Sequence, residues 1–69
     1  MRAIVKVGIV CNSKMIRKIR QALKNHQFKE NESRPLPVQG MIVLAGTMPS
    51  AGIEPVKSLQ GVRRVDTSY

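Results

Sequence analysis

Residues 3–11, AIVKVGIVC, alternate in character. Ala3, Val5, Val7, Ile9 and Cys11 fall on one side of an extended strand, with Ile4, Lys6, Gly8 and Val10 on the other. The second side is still half apolar, so this strand is expected inside a sheet. The period then changes to that of a helix. From Lys14 to about Asn25, the residues Met15, Ile16, Ile19, Ala22, Leu23 and His26 recur at three- and four-residue steps as one apolar stripe. Asn12 or Ser13 can cap its start, and Asn25 can close it in a left-handed conformation.

The middle of the chain is less patterned. In residues 27–34, QFKENESR, only Phe28 has anything substantial to bury, so a short edge strand is the most this stretch supports. Arg34-Pro35-Leu36-Pro37 is expected extended, because each proline removes a donor and restricts the residue before it. Residues 40–45, GMIVLA, form an apolar run of strand length, and Gly46-Thr47-Met48-Pro49-Ser50 carries turn chemistry. Ile53, Val56 and Leu59 repeat every three residues, which predicts a short second helix ending at Gly61, with Pro55 in its first turn. Residues 62–67 predict a last strand.

Strand, helix, edge strand, strand, helix, strand is the order of a split βαβ arrangement: an α+β, ferredoxin-like sandwich with two helices on one face of a three- to four-stranded antiparallel sheet. The first and third strands are then central. Residues 1–69 make one domain, and Ile9, Ile19, Val43 and Leu59, each at the centre of an apolar pattern, are expected to share its core.

Composition narrows the function classes. Aromatic residues are 3% of the chain, only Phe28 and Tyr69, so the core has to be aliphatic. One cysteine excludes an internal disulfide framework and a zinc set, and one histidine with four carboxylates leaves little for a catalytic pocket. No enzymatic activity, metal or cofactor is expected. Charge is the strongest bulk signal: twelve basic residues against four acidic give +8, and residues 1–29 contain no acid. Such a balance suits a polyanion, an acidic protein surface or an anionic membrane face. No stretch approaches the roughly 20 apolar residues of a membrane span, and the opening apolar stretch is interrupted by Lys6, unlike a secretory signal. A cytoplasmic protein is expected.

Few side chains carry chemistry. Cys11, just before a helix start, has Lys14 where ferredoxin-like metal carriers place a second cysteine, and one thiolate does not make a soft-metal site. A small apolar residue on the buried face is its simpler role. His26 is a helix-end residue without a sequence-adjacent carboxylate or thiol. Ser13, Ser50 and Ser58 have no base or glycine elbow beside them. The basic positions Lys14, Arg17, Lys18, Arg20 and Lys24 of the first helix, joined by Arg63 and Arg64, make a candidate polyanion site that would contact phosphates of nucleic acid. Neither central strand carries an aromatic residue for base stacking, so such contact would not read sequence.

The C-terminal half resembles a known family. Gly40-Met-Ile-Val-Leu-Ala-Gly46, a turn and short helix through Leu59, and then Gly61-Val62-Arg63-Arg64-Val65-Asp66 are similar to the subtilisin propeptide and inhibitor family, whose closing strand has the form G-V-x-x-V-acid. The strand and helix of the front half fit the same plan. Thr67 and Ser68 stand where a further acid is usual. The resemblance implies a ferredoxin-like fold and a non-enzymatic protein-interaction domain. It also implies that Asp66, Thr67, Ser68 and Tyr69 act as a protease-contact tail, laid as a strand into a subtilisin-type cleft. An exposed edge strand would further allow a homodimer.

Overall fold

The computed structural model describes residues 3–67. Its elements run β1 (Ile4–Asn12), a 3-10 turn (Ser13–Met15), α1 (Ile16–Asn25), β2 (Lys29–Pro35), β3 (Met41–Pro49), a second 3-10 turn (Ser50–Gly52), α2 (Ile53–Lys57) and β4 (Val62–Asp66). The strands form one antiparallel sheet in the order β2-β3-β1-β4. Each βαβ unit therefore spans a strand belonging to the other unit, which is the ferredoxin-like α+β arrangement.

The alternation along β1 decides where the core lies. Val7, Ile9 and Cys11 face the helices together with Leu44 and Met48 of β3. Ile19 and Leu23 of α1, Val56 of α2 and Phe28 close over them in one buried cluster. Leu59, Val62 and Val65 pack against its rim. Val43 does not join this cluster, contrary to expectation. It pairs with Val10 and so shares the opposite face of the sheet, where it is nonetheless 5% exposed. On this face Arg34 of β2 lies opposite Val43, and Arg64 of β4 lies opposite Val10.

The Asn12 side chain accepts a hydrogen bond from the Lys14 amide at 2.9 Å and so caps the 3-10 turn that leads into α1, whose own N-cap, Met15, has no side-chain cap bond. At the other end the left-handed residue is Gln27 (φ 62°), not Asn25. The Phe28 amide donates to the Leu23 carbonyl at 3.0 Å and the Gln27 amide to the Lys24 carbonyl at 3.1 Å. This is the paired closure of a Schellman motif, and its apolar contact is the Phe28–Leu23 packing within the core. The helix ends at Asn25, and its left-handed closure falls two residues later, where Phe28 packs into the core.

β3 continues through the predicted turn to Pro49. Its far half pairs with the first half of β1, Ile4 against Pro49 and Val7 against Gly46, and Met48 is fully buried. Gly46 serves close approach here. A Cβ at that position would run into the carbonyl oxygen of Lys29 and come within 2.9 Å of the Phe28 ring. Gly61 does need its conformational freedom, with φ +92° at the entry to β4 and Met15 and Ile19 packed against it. α2 is a single turn ending at Lys57, with Leu59 beyond it.

Candidate functional site

The sheet separates two basic surfaces that the sequence reading had joined. On the helical side, Lys14, Arg17, Lys18 and Lys24 are exposed, since Ile19 and Leu23 turn the opposite side of α1 into the core. α1 itself contains no acid. Arg20 does not belong with these cations. Its Nε and Nη2 donate to the two carboxylate oxygens of Glu30, both at 3.1 Å, tying the middle of α1 to the edge strand β2. The planar guanidinium suits this two-pronged contact.

Arg63 and Arg64 lie elsewhere. Along β4, Val62 pairs with Cys11 and Arg64 with Val10, so Arg63 is the extra residue of a β-bulge. Bulges re-aim side chains, and both arginines here line one open groove of about 550 Å³ on the helix-free face of the sheet. Val10 and Met41 form the floor of this groove. Leu36, Val38 and Gln39, from the connection between β2 and β3, form its far wall. Val38 is 61% exposed. The connection is held by two backbone hydrogen bonds, Leu36 amide to Met41 carbonyl and Met41 amide to Val38 carbonyl, each 3.2 Å.

Of the groove residues, Leu36 and Val38 were not singled out by sequence reasoning, and Met41 was read only as an apolar core position of the 40–45 run. The available signal was two apolar side chains in a proline-flanked connection, where polar residues are the rule. The arginines were singled out but assigned to the wrong surface, because a bulge is a property of two strands and not of one.

Of the protease-contact tail, Asp66 ends β4 opposite Gly8 and Thr67 is exposed just beyond it. Ser68 and Tyr69 lie outside the described residues. Both sheet edges are irregular: β2 is bulged between Glu30 and Glu32, is exposed along its whole length and ends in Pro35, while β4 is short and bulged at Arg63. Charges, proline and bulges are the features that blunt an edge against strand addition.

Cys11 is fully buried. Burial pushes its thiol ionisation above the ordinary 9.0, with Arg20 pulling against that shift and Glu30 adding to it. Among the described residues no three His, Cys, Asp or Glu side chains converge to hold a metal ion, and no helix is long and apolar enough to cross a membrane. His26 is half-buried at the C-terminal cap of α1. No family model, curated protein or solved structure matches the chain.

Proposed function

We propose that the chain is a non-enzymatic protein-interaction domain of the subtilisin-propeptide type, which inhibits or chaperones a subtilisin-type protease through its closing strand and tail. The observation that carries this reading is the build of β4. It is an edge strand whose Val62 and Val65 pack onto the core, so the backbone leaving Asp66 starts from a rigid support. Thr67, Ser68 and Tyr69 would follow it as an extended segment added to the cleft, with backbone hydrogen bonds supplying affinity and Tyr69 entering a pocket that accepts a large aromatic side chain. A fixed post lowers the ordering cost of such binding. Titrating a subtilisin-type protease with the intact chain and with a chain ending at Asp66 tests this. Inhibition by the first and none by the second is the expected result. Equal residual activity with both, up to high micromolar concentration, rejects the tail as an inhibitory strand.

A second reading rests on a different observation, the unbroken basic face of α1. Lys14, Arg17, Lys18 and Lys24 are exposed, and none of them has an ion-pair partner among the described residues. They would bind nucleic acid through phosphates, with little preference for sequence. Replacing Arg17, Lys18 and Lys24 by glutamine should flatten the salt dependence of oligonucleotide binding while leaving the circular dichroism spectrum unchanged. Binding that survives both high salt and this replacement rejects α1 as the contact face.

A further inference from the structure

We propose that the groove between Arg63-Arg64 and the Leu36–Val38 wall binds an acidic peptide segment of a partner protein, in which carboxylates stand beside a bulky apolar side chain. The inference goes beyond the protease reading and does not need it.

Charge placement comes first. The chain has few acids, and three of them are committed inside the fold: Glu30 to Arg20, Glu32 to Arg34 at 2.8 Å, and Glu54 to Lys57 at 3.8 Å. Arg63 and Arg64 take part in no ion pair or side-chain hydrogen bond among the described residues. The bulge nevertheless brings them to the same groove. Two guanidiniums side by side repel each other unless an anion joins them, and their flat donor arrays match carboxylates in a two-pronged manner.

The rest of the lining selects among anions. Floor and far wall are aliphatic, from Val10, Met41, Leu36 and Val38. A nucleic acid placed here would set charged sugar-phosphate against these side chains and find no aromatic ring on which to stack a base. An aliphatic or aromatic peptide side chain would instead bury itself against Val38, which is otherwise left 61% exposed. A groove of about 550 Å³ accommodates a few peptide residues.

The test uses fluorescence anisotropy with a short labelled peptide carrying two adjacent glutamates followed by leucine and phenylalanine. A second peptide has glutamines in place of the glutamates, and a labelled oligothymidine serves as the nucleic-acid probe. The intact chain should bind the acidic peptide saturably. The glutamine peptide should bind about tenfold more weakly or worse. Arg63→Gln with Arg64→Gln should lower affinity for the acidic peptide by a similar factor, and Val38→Ser should lower it several-fold from the opposite wall. Both walls are exposed, so unchanged thermal unfolding is expected for these variants. Amide chemical shifts should move at Val10, Val38 and Met41 on titration. No saturable binding of the acidic peptide, equal binding of the glutamine peptide, or indifference to replacement on both walls would overturn the proposal. So would an oligothymidine that alone depends on Arg63 and Arg64. A chain ending at Asp66 keeps every described residue that lines the groove, so peptide binding should persist there whether or not protease inhibition is lost.

Discussion

Replacing Gly46 by alanine tests how β2 is seated on the sheet. The residue lies within β3, pairs with Val7 on one side and Glu30 on the other, and is buried. Its backbone is not left-handed, so alanine costs nothing there in φ. The cost is steric. The new methyl would occupy the place of the Lys29 carbonyl oxygen, with the Phe28 ring 2.9 Å away. A carbonyl held in a ladder cannot swing aside as a flexible side chain can, so β2 and Phe28 must move outward together. Overpacking of this kind costs about 1–3 kcal/mol, while the reduced freedom of the unfolded chain returns about 0.4–1 kcal/mol. The net loss is then about 1–2 kcal/mol, from a domain whose core supplies only about 3–5 kcal/mol. For a domain this small each kcal/mol shifts the melting temperature by about 4–8 °C, so a fall of roughly 5–15 °C is expected. Far-UV circular dichroism follows the melt, and a urea titration should show a lower midpoint at unchanged slope. Shortening Phe28 to leucine in the same chain should not restore the loss, because the carbonyl remains in the way. An alanine at Gly46 that melts at or above the parent temperature would refute the close-approach account.

Further outcomes follow from the same geometry. Ile19→Ala, in the two-layer core, should cost about 2–4 kcal/mol by chemical denaturation, whereas Val43→Ala, on the helix-free face, should cost only about 1–2 kcal/mol; equal losses would contradict the placement of Val43. Gln27→Gly should stabilise by about 0.5–1 kcal/mol in the same assay, because glycine adopts the left-handed closure of α1 without the Cβ penalty. Burial raises the Cys11 thiol above its ordinary 9.0, so the native state holds the proton longer than the unfolded chain does. Stability is therefore retained below that value and falls as pH rises past it toward the native ionisation. The melting temperature of the intact chain should drop more steeply above about pH 9 than that of Cys11→Ala, and parallel curves would contradict this.

The elements readable from the sequence were those whose signal is local. β1 and α1 carry their periods within their own residues, and Asn12 caps from two positions away. What was hidden depends on a second segment. Gly46 and Pro49 carry turn chemistry, yet pairing with the first half of β1 and burial of Met48 keep them in a strand. β2 has no apolar alternation because every one of its residues is exposed. Its conformation is imposed by the ladder to β3 and by Phe28 beneath its start. Arg20 looked like one more surface cation until the fold brought Glu30 across from it. Of the candidate site, the basic face of α1 was legible from helical spacing. The Arg63-Arg64 groove was not, because its walls come from three separated segments and its geometry from a bulge.

The fold makes this division of surfaces hard to avoid. A four-stranded sheet with both helices on one side leaves its other face without a layer to cover it. Among the described residues, the apolar Val10, Val43 and Ala45 on that face have no helix over them and pair with residues of the neighbouring strands. The exposed basic face of α1 lies one layer beyond the sheet, and packed layers are spaced by about 10 Å. That is close to the screening length of about 8 Å at physiological salt, so an anion held on one surface is felt only weakly at the other. The two surfaces also differ in kind. On α1 the charges are solvated and spread along a convex helix, which favours long-range, salt-sensitive attraction of a polyanion. In the groove two guanidiniums sit beside aliphatic walls, where contact with a partner removes water and the attraction becomes short-ranged and less sensitive to salt. On the two proposals together, the polyanion on α1 and the acidic peptide in the groove would occupy opposite sides of the sheet and so would not compete for the same residues.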